Sequence, residues 1–311
     1  MSEVRKVFSQ DFEFIKPLLE KFDGSGFSVE KWRKLFKNYW SNTEDHIGYM
    51  LIDNGCAVGF IGTIFCERLI NGKLHKICNL SSWFVLPEYR SESLLLFQQI
   101  LKNKEFTVTS FTSIPAAIKI LTRIGFRQLD THYYWYTTNH KKRNKKNIGF
   151  ITERDEIEKI LNDEEMQIFK DHLPFNANHY IITDNESYGY LILRYRNTSL
   201  RNLISNRYIN YADFIIRKLS GWSFLQKKIT VAYLNYASNT GFLFEHIDYI
   251  NEKISGDLKV SGLLIESRFV PMQKKMNRHK TCPRISLYRP ADLKPSEIDS
   301  LYSELFILDM Q

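Results

Sequence analysis

Short apolar runs and stretches of helical spacing alternate along the chain, which is the pattern of a mixed α/β fold. Residues 49–62, YMLIDNGCAVGFIG, hold two apolar runs on either side of Asn54-Gly55, the strongest short-range signal of a tight β-hairpin. Residues 76–85, KICNLSSWFV, are rich enough in β-branched and aromatic residues for a strand that is buried on at least one face. From Ser91 onward the apolar residues recur at helical spacing, so the pattern predicts a helix shortly after this strand.

Three features of the first half of the chain recur in the second half in the same order. Each half opens with a short strand before an acidic first helical turn, continues with a hairpin, and later has a strand that leads into a helix with proline in its first turn. The paired segments are 8–19 and 151–161, 49–62 and 179–193, and 106–120 and 259–276. We therefore predict two similar α/β units in tandem, over residues 1–139 and 148–311; the alternative is a chance likeness of generic strand-helix patterns.

The net positive charge of the chain lies in its first half. Residues 1–147 carry 22 Lys and Arg against 14 Asp and Glu, whereas residues 148–311 carry 21 of each. Five of the basic residues fall in HKKRNKKN, residues 140–147, which contain no apolar residue. We interpret this segment as a solvated interdomain linker rather than a nucleic-acid contact, and the remaining surplus weakly favours an anionic ligand.

Length and composition indicate a globular protein with no membrane partner. The 311 residues suffice for about two domains, and 43% of them are hydrophobic. No apolar run approaches the roughly 20 residues that span a bilayer, and the first residues lack the apolar block of a signal peptide, so we expect a cytoplasmic protein. Four cysteines, Cys56, Cys66, Cys78 and Cys282, have no metal-ligand or redox spacing, so we expect reduced thiols and no metal.

The junction between the strand of residues 76–85 and the next helix has the chemistry of an anion site. Pro87 ends the strand, and a helix that starts near Ser91 leaves several backbone N–H groups without partners at the positive end of its dipole. Arg90 adds a bidentate donor, while Ser91 and Ser93 keep the side chains small where an anion would lie. Most junctions of this kind bind nothing, so the residues alone leave both interpretations open.

The segment VLPEYRSESLLL resembles the acyl-CoA-binding segment of the GNAT superfamily of N-acyltransferases, whose pattern is V-x-P-x-x-[RQ]-x-x-G-x-[GA]. Val85, Pro87 and Arg90 stand at the matching positions. Residues 113–130 resemble the next helix of that family, which ends in a Gly-Phe pair, here Gly125-Phe126. The likeness covers residues 3–137 and, more faintly, the second half, where no V-x-P-x-x-R segment precedes a helix.

The resemblance implies two GNAT-like units, the second of them degenerate, with one site for acyl-CoA as co-substrate. The residues that it places along the acyl-CoA are Trp83, Val85, Arg90, Ser91, Glu92, Ser93, Leu94 and Leu95. Two of these depart from the family pattern, because its glycine falls at Ser93 and its last small residue at Leu95. A third departure is Leu121, which stands where many relatives have the tyrosine that protonates the departing thiolate.

The candidates for proton transfer lie on the strand before the turn. An N-acyltransferase positions an amine against a thioester carbonyl, removes a proton and stabilises the oxyanion. In GNAT relatives a backbone N–H of this strand binds the thioester carbonyl, which the resemblance places at residues 83–85. Alternation puts Asn79, Ser81, Trp83 and Val85 on one face, so Asn79 and Ser81 are candidates to order a relaying water, or they satisfy a sheet edge. His75 is the nearest imidazole, in what the sequence indicates is an exposed turn.

Two further segments are assigned to units by the same reasoning. The aromatic run HYYWY, residues 132–136, alternates like a strand and is predicted to be the last strand of the first unit, with core packing as its preferred role over ligand stacking. Residues 294–308 are predicted to form a short helix that packs on the second unit. The group Glu245, His246 and Asp248 is interpreted as solvated surface.

The acceptor amine has no diagnostic motif. Tandem GNAT proteins with one CoA segment resemble small-molecule acyltransferases, so we expect a small amine acceptor, with a nucleotide-linked amino sugar of surface polysaccharides preferred and nucleic acid unexpected. Two alternatives stay open. One is a tandem GNAT-like aminoacyl transferase that takes its acyl group from tRNA, and the other is a non-catalytic binding module of the same fold.

Overall fold

The computed structural model describes residues 2–22, 26–130, 132–137, 148–184, 186–203, 207–258, 260–271 and 285–310. The strands within these residues are β1 (Glu3–Val7), β2 (Gly48–Asp53), β3 (Cys56–Ile70), β4 (Lys73–Val85), β5 (Phe106–Ser110), β6 (Arg127–Leu129), β7 (Tyr133–Tyr136), β8 (Gly149–Ile151), β9 (Asn178–Thr183), β10 (Tyr188–Ser199), β11 (Lys228–Ala237), β12 (Leu263–Glu266) and β13 (Ser286–Arg289). The helices are α1 (Phe12–Leu19), α2 (Val29–Lys34), α3 (Ser93–Lys102), α4 (Pro115–Arg123), α5 (Arg154–Glu158), α6 (Asp163–His172), α7 (Leu200–Leu203), α8 (Arg207–Ser220), α9 (Thr240–Glu245), α10 (Ile247–Leu258) and α11 (Glu304–Ile307).

The first unit is a mixed sheet built from two separate parts of the chain, Met1–Leu129 and Ile285–Gln311. Its strands lie in the order β1-β2-β3-β4-β5-β13-β6. Strands β1 to β4 are antiparallel neighbours, whereas β4 and β5 run parallel. Strand β13 lies between β5 and β6 and is antiparallel to both. The parallel pair requires a crossover, which α3 supplies.

The second unit, Asp130–Arg284, repeats this plan in its own sheet. The strand order is β8-β9-β10-β11-β12-β7, with β11 and β12 as the parallel pair and β7 antiparallel to β12. The two mixed sheets confirm the predicted α/β fold class, and among the described strands their orders agree except that β6 has no counterpart in the second sheet. One connection differs, because β3 and β4 are joined by Asn71-Gly72 alone, whereas residues 200–227 with α7 and α8 join β10 to β11.

The assignment of two segments to units is the reverse of the prediction. Strand β7, from the run HYYWY, pairs with β12 in the second unit instead of ending the first unit. The C-terminal residues 285–310 belong to the first unit, where β13 takes the position that β7 holds in the second. The reason is that β13 pairs with β5 and β7 pairs with β12, each far away in the chain, and such pairing leaves no signal in the local pattern.

Several local predictions are confirmed. Asn54 and Gly55 have φ angles of 47° and 71°, so the β2–β3 hairpin turns through two left-handed residues. Strands β9 and β10 pair as the second predicted hairpin. Gly125 ends α4 with a φ angle of 97°, which a side chain would disfavour. The basic linker 140–147, the helix expected after residue 271, Asn185 and Cys282 lie outside the described residues.

The sheet of the first unit is covered on both faces. Helix α3 packs Leu96, Phe97 and Ile100 on one face, and they join a cluster with Cys78 and Leu80 of β4. The other face meets α1, α2 and the C-terminal residues 292–308, whose side chains are mostly buried. Within the described ranges, no helix is both long enough and apolar enough to cross a membrane.

Candidate active site

Strand β4 contains a β-bulge at Ser82, directly before the turn that resembles an acyl-CoA segment. The register with β3 shifts between Phe60 and Gly62, so Ile61 faces two residues of β4. Ser82 has a φ angle of 45°, which non-glycine residues rarely adopt. A bulge leaves its extra residue outside the ladder and turns the following side chains to the opposite face.

The bulge separates side chains that the sequence places on one face. Beyond it, Trp83 and Val85 lie on the α3 face, where Trp83 makes an edge contact with Phe97 at 4.5 Å between ring centroids. Asn79 and Ser81 lie on the other face. The expectation that these four residues share a face is therefore wrong, because strict alternation holds only in a strand without an extra residue.

The parallel pairing of β4 with β5 ends just before the bulge. The last pair of this ladder is Asn79 and Thr109, while β4 continues for six residues to Val85. Strand β5 ends at Ser110. The edge of β4 from Leu80 onward is thus outside the β4–β5 ladder, and the Leu80 carbonyl oxygen accepts from Asn79 Nδ2 at 3.3 Å.

A buried polar cluster occupies the point where β4 and β5 separate. The Asn79 side chain, fully buried, donates through Nδ2 to a carboxylate oxygen of Glu304 and accepts at Oδ1 from Thr109 Oγ1 at 3.1 Å. The second carboxylate oxygen of Glu304 accepts from Thr112 Oγ1 at 2.6 Å. Helix α11 begins at Glu304, and Ser303 caps its N-terminus by accepting from Leu305 N–H. The C-terminal segment therefore places a carboxylate, that of Glu304, beside Asn79 of β4.

Ser81 is buried two residues along the strand from Asn79, with glycine as its neighbour on β3. Ser81 pairs with Gly62, and a Cβ atom on Gly62 would lie 2.4 Å from Ser81 Oγ. Glycine at position 62 is thus required for the Ser81 hydroxyl to hold its place. The two predicted relay residues, Asn79 and Ser81, do lie together on one face of β4.

His75 lies apart from this cluster. It is a buried residue of β4, not part of an exposed turn, and its Nδ1 lies 2.9 Å from Asp292 Oδ1, which also pairs with Lys73. The turn is the preceding Asn71-Gly72. Four residues of strand separate His75 from Asn79, about 13 Å at about 3.3 Å per residue. The hydrogen bond with Asp292 holds His75 at the far end of the strand from Asn79.

The turn after β4 is a 3₁₀ helix, Pro87–Glu92, that runs directly into α3. Its conformation uses part of the donor set expected to be free, because the Ser93 N–H donates to the carbonyl oxygen of Arg90. Tyr89 fixes the turn by donating to Asp53 Oδ2 at 2.7 Å, and this hydrogen bond raises the pKa of Tyr89. Among the side chains that the structure describes, none caps the N-terminus of α3.

The remaining residues assigned to acyl-CoA differ in exposure. Arg90, Ser91 and Leu94 are exposed, and among the described side chains none forms an ion pair with Arg90. Glu92 and Ser93 are half-buried, and Glu92 accepts from the Ser2 backbone N–H at 3.2 Å. Leu95, Trp83 and Val85 pack against the α3-side core, where Val85 is buried and the other two side chains stay partly exposed. Leu121 is also in that core, which leaves no hydroxyl at its position.

The equivalent junction in the second unit has a different chemistry. Strand β11 leads into α9, and Asn239 caps this helix by accepting from Phe242 N–H at 3.0 Å through Oδ1. The side-chain oxygen occupies the position that an anion would take at a helix N-terminus. The corresponding junction of the first unit has no such cap among the described side chains, and its anion site stays a prediction. Within the described residues, no group of three His, Cys, Asp or Glu side chains is placed to hold a metal ion.

Solved structures with a similar fold include GCN5-related N-acetyltransferases. A GCN5-related N-acetyltransferase from Anabaena variabilis ATCC 29413 matches with a TM-score of 0.57 and 11% identity over 94% of this chain and 73% of that chain. The fold is that of the GCN5-related N-acetyltransferases. A probable N-acyltransferase from Enterococcus faecalis V583 matches with a TM-score of 0.57 and 13% identity, over 95% of this chain and 74% of the Enterococcus chain.

A third GCN5-related N-acetyltransferase, from Kribbella flavida, matches with a TM-score of 0.53 and 8% identity over 93% of this chain and 71% of that chain. At these identities the likeness establishes the fold alone. No protein-family model and no curated protein sequence matches the chain. The sequence signals for this fold are the short segment around Arg90 and the features that recur in both halves of the chain.

Proposed function

We propose that the protein is an acyl-CoA-dependent N-acyltransferase with its site in the first unit. The observation that carries this proposal is the geometry of β4 on a GCN5-related fold. The strand separates from β5 after Asn79, bulges at Ser82 and leads through the turn with Arg90 into the uncapped helix α3. The thioester carbonyl oxygen of a bound acyl-CoA would accept a hydrogen bond from a backbone N–H at the free edge of β4. The diphosphate of the CoA would lie at the turn near the Arg90 guanidinium.

The reaction transfers the acyl group from sulfur to nitrogen. The amine nitrogen attacks the thioester carbonyl carbon, a C–N bond forms, the C–S bond breaks and the amine loses one proton. We propose that Glu304 takes this proton, directly or through a water held by Ser81, because it is the carboxylate at the separation of β4 and β5. Asn79 then positions Glu304. Leu121 cannot protonate the thiolate, so water takes that role.

For the acceptor we propose an amine-bearing small molecule, and a nucleotide-linked amino sugar as the first class to assay. The excess of basic residues within residues 1–147 supports an anionic acceptor. A thiol-release assay with acetyl-CoA and a panel of amines, with and without a nucleotide group, tests the acceptor class separately from the activity.

Acetyl-CoA binding is the direct test of the proposed site. In a calorimetric titration we expect micromolar affinity for the full chain, because a diphosphate gains charge-assisted hydrogen bonds at the turn. The variant Arg90→Glu should lose at least about tenfold in affinity, which corresponds to one such bond. Arg123→Glu, the same change at an exposed position of α4, is the control and should bind as the native chain does. An absence of binding to any acyl-CoA would contradict the proposal.

A further inference from the structure

Helix α8 exposes a large apolar face that the second unit does not cover. Tyr211, Phe214, Leu219 and the following Trp222 are 65%, 61%, 82% and 59% exposed. At helical spacing, Tyr211, Phe214, Ile215 and Leu219 lie on one side of α8. From Ile209 to Ser220, Asp213 is the one buried residue. A monomeric protein rarely exposes a contiguous apolar face of this kind without a binding role.

The helix is held to the second unit by its polar side. Asp213 accepts from Ser223 Oγ at 2.7 Å and from Leu225 N–H at 3.1 Å. Gly221 ends the helix with a φ angle of 70° and donates to the Arg217 carbonyl oxygen, which directs the chain toward Trp222. These polar contacts fix α8 with its apolar residues outward. A helix of this length is marginal without apolar packing, so its stability depends on a surface outside the unit.

The charge around the helix identifies that surface as anionic. Residues 200–228 contain six basic residues and a single acidic one, Asp213, although the second half of the chain is neutral. Arg201, Arg217, Lys218, Lys227 and Lys228 are exposed. The carboxylate of Asp213 is buried in its hydrogen bonds and offsets little of this charge at the surface. The connection is also an insertion, because the equivalent strands of the first unit are joined by a two-residue turn.

We propose that α8 binds the surface of an anionic lipid bilayer. The apolar residues enter the boundary between headgroups and acyl chains, Trp222 and Tyr211 lie at the headgroup level, and the basic side chains contact anionic headgroups. With 14 residues the helix is shorter than a spanning segment, so it lies in the plane of the interface. A second copy of the chain is a poorer occupant, since a twofold contact would bring the same basic residues together.

This inference differs from the sequence expectation of no membrane partner. That expectation rested on the lack of an apolar run long enough to span a bilayer. A helix that lies in the interface binds through one apolar face and needs no such run. The binding proposed here is independent of acyl-CoA, so the proposed activity and the proposed surface are tested by separate measurements.

Vesicle sedimentation of the full chain tests the inference. We expect the protein to pellet with vesicles of phosphatidylcholine mixed with phosphatidylglycerol, more weakly with phosphatidylcholine alone, and less as salt is added. Leu219→Glu should lower the partition coefficient by more than about tenfold, because an exposed leucine leaves the interface. Arg217→Gln and Lys218→Gln should each lower it about fivefold. Trp222 should shift its emission to shorter wavelength with anionic vesicles, and Trp222→Phe should abolish the shift.

The matched control is Leu74→Glu, the same substitution at a position of β4 that is 59% exposed. It should leave vesicle binding unchanged. Because Leu219 is exposed, the Leu219→Glu variant should keep the native circular dichroism spectrum. The comparison of anionic with neutral vesicles uses the native chain and does not depend on any variant. Three results would overturn the proposal: no pelleting with anionic vesicles, equal pelleting of Leu219→Glu, or a concentration-dependent dimer that Leu219→Glu abolishes while vesicles have no effect.

Discussion

At Ser82 a φ angle of 45° admits one extra residue into β4, and this change reorients every side chain that follows. Trp83 and Val85 turn into the α3-side core, while Asn79 and Ser81 stay on the face of Glu304. The candidate site therefore separates into two parts. In the proposed function the strand backbone and the turn bind the thioester carrier, and the opposite face supplies the polar groups for proton transfer.

The residue-scale prediction concerns Glu304. Glu304→Gln should lower kcat for acyl transfer by about 10²-fold to 10⁴-fold, the contribution of a positioned general base, with the affinity for acetyl-CoA unchanged. The acidic limb of the pH–rate profile should disappear in the variant, which a merely structural role would not cause.

Glu297→Gln provides the control for this measurement. Glu297 is a partly exposed residue of the same C-terminal segment, where it accepts from Lys294 N–H and from Asn71 Nδ2. The control variant should keep its kcat. An unchanged kcat in Glu304→Gln, or a loss of acetyl-CoA binding in the same variant, would exclude Glu304 as the base.

At the scale of elements, each sheet takes one strand from a distant part of the chain. Strand β13 completes the first sheet from the C-terminal residues, and β7 completes the second sheet from residues that directly follow the first unit. Both strands are short, so neither is stable without its partners in the sheet. The stability of each unit thus depends on a strand that sequence order would assign to the other unit.

Reciprocal substitutions test this exchange. Leu287→Ala, in the buried centre of β13, should destabilise the first unit by about 2–5 kcal/mol through the cavity it leaves. Amide hydrogen exchange should rise in β5 and β6 and stay unchanged in β10 to β12. Tyr136→Ala in β7 should give the opposite pattern, by loss of a large side chain from the second core.

Ile285→Ala, a partly exposed residue just before β13, is the control and should change exchange in neither unit appreciably. If Leu287→Ala accelerated exchange in the second unit instead, the pairing of β13 with β5 would be wrong.

At the scale of the whole molecule, both units contain a buried histidine that is neutral in the folded state. Burial lowers the pKa of His46 to about 4 and the pKa of His179 to about 4. His46 lies beside Tyr49 and Phe65, and His179 donates to or accepts from the Tyr190 hydroxyl at 2.6 Å. Since the unfolded chain has histidine pKa values near 6.5, unfolding takes up protons below that pH.

Stability should therefore be full above about pH 6.5 and decline as the pH falls toward about 4. Near pH 5 the loss should be about 1–2 kcal/mol for each histidine, measured as a lower denaturant midpoint. His46→Phe keeps the ring packing and removes the titrating group. The stability of the first unit should then depend less on pH, while the pH dependence of the second unit's stability should be unchanged. A native pH dependence in His46→Phe would contradict this account.

The sequence predicts features that depend on neighbours along the chain. The Asn54-Gly55 hairpin, the glycine that ends α4 and the helix after β4 each follow from local backbone preferences, which few residues determine. The repetition of these features predicts two α/β units because each copy obeys the same local rules. The resemblance around Arg90 adds an expected anion site, for the same reason of local spacing.

The candidate site is only partly predictable, because its polar side is assembled from distant residues. Asn79 and Glu304 are 225 residues apart in the chain, and they form a hydrogen bond because the C-terminal segment packs on β4. The bulge at Ser82 has no signal in an alternating pattern, and it separates Asn79 from Trp83. His75 falls in a stretch that resembles a turn, but it is a buried residue of β4 whose partner Asp292 comes from the C-terminal segment.

The sequence by itself determined the local elements, their repetition and the basic turn, since these depend on contacts within a few residues. Tertiary structure alone decided which strand completes each sheet, which carboxylate lies beside β4 and which face of α8 stays exposed. Those outcomes depend on burial and hydrogen bonding between segments far apart in the chain. Hydrophobic patterning indicates that the apolar face of a strand or helix is buried, and only the packed structure shows which segment buries it.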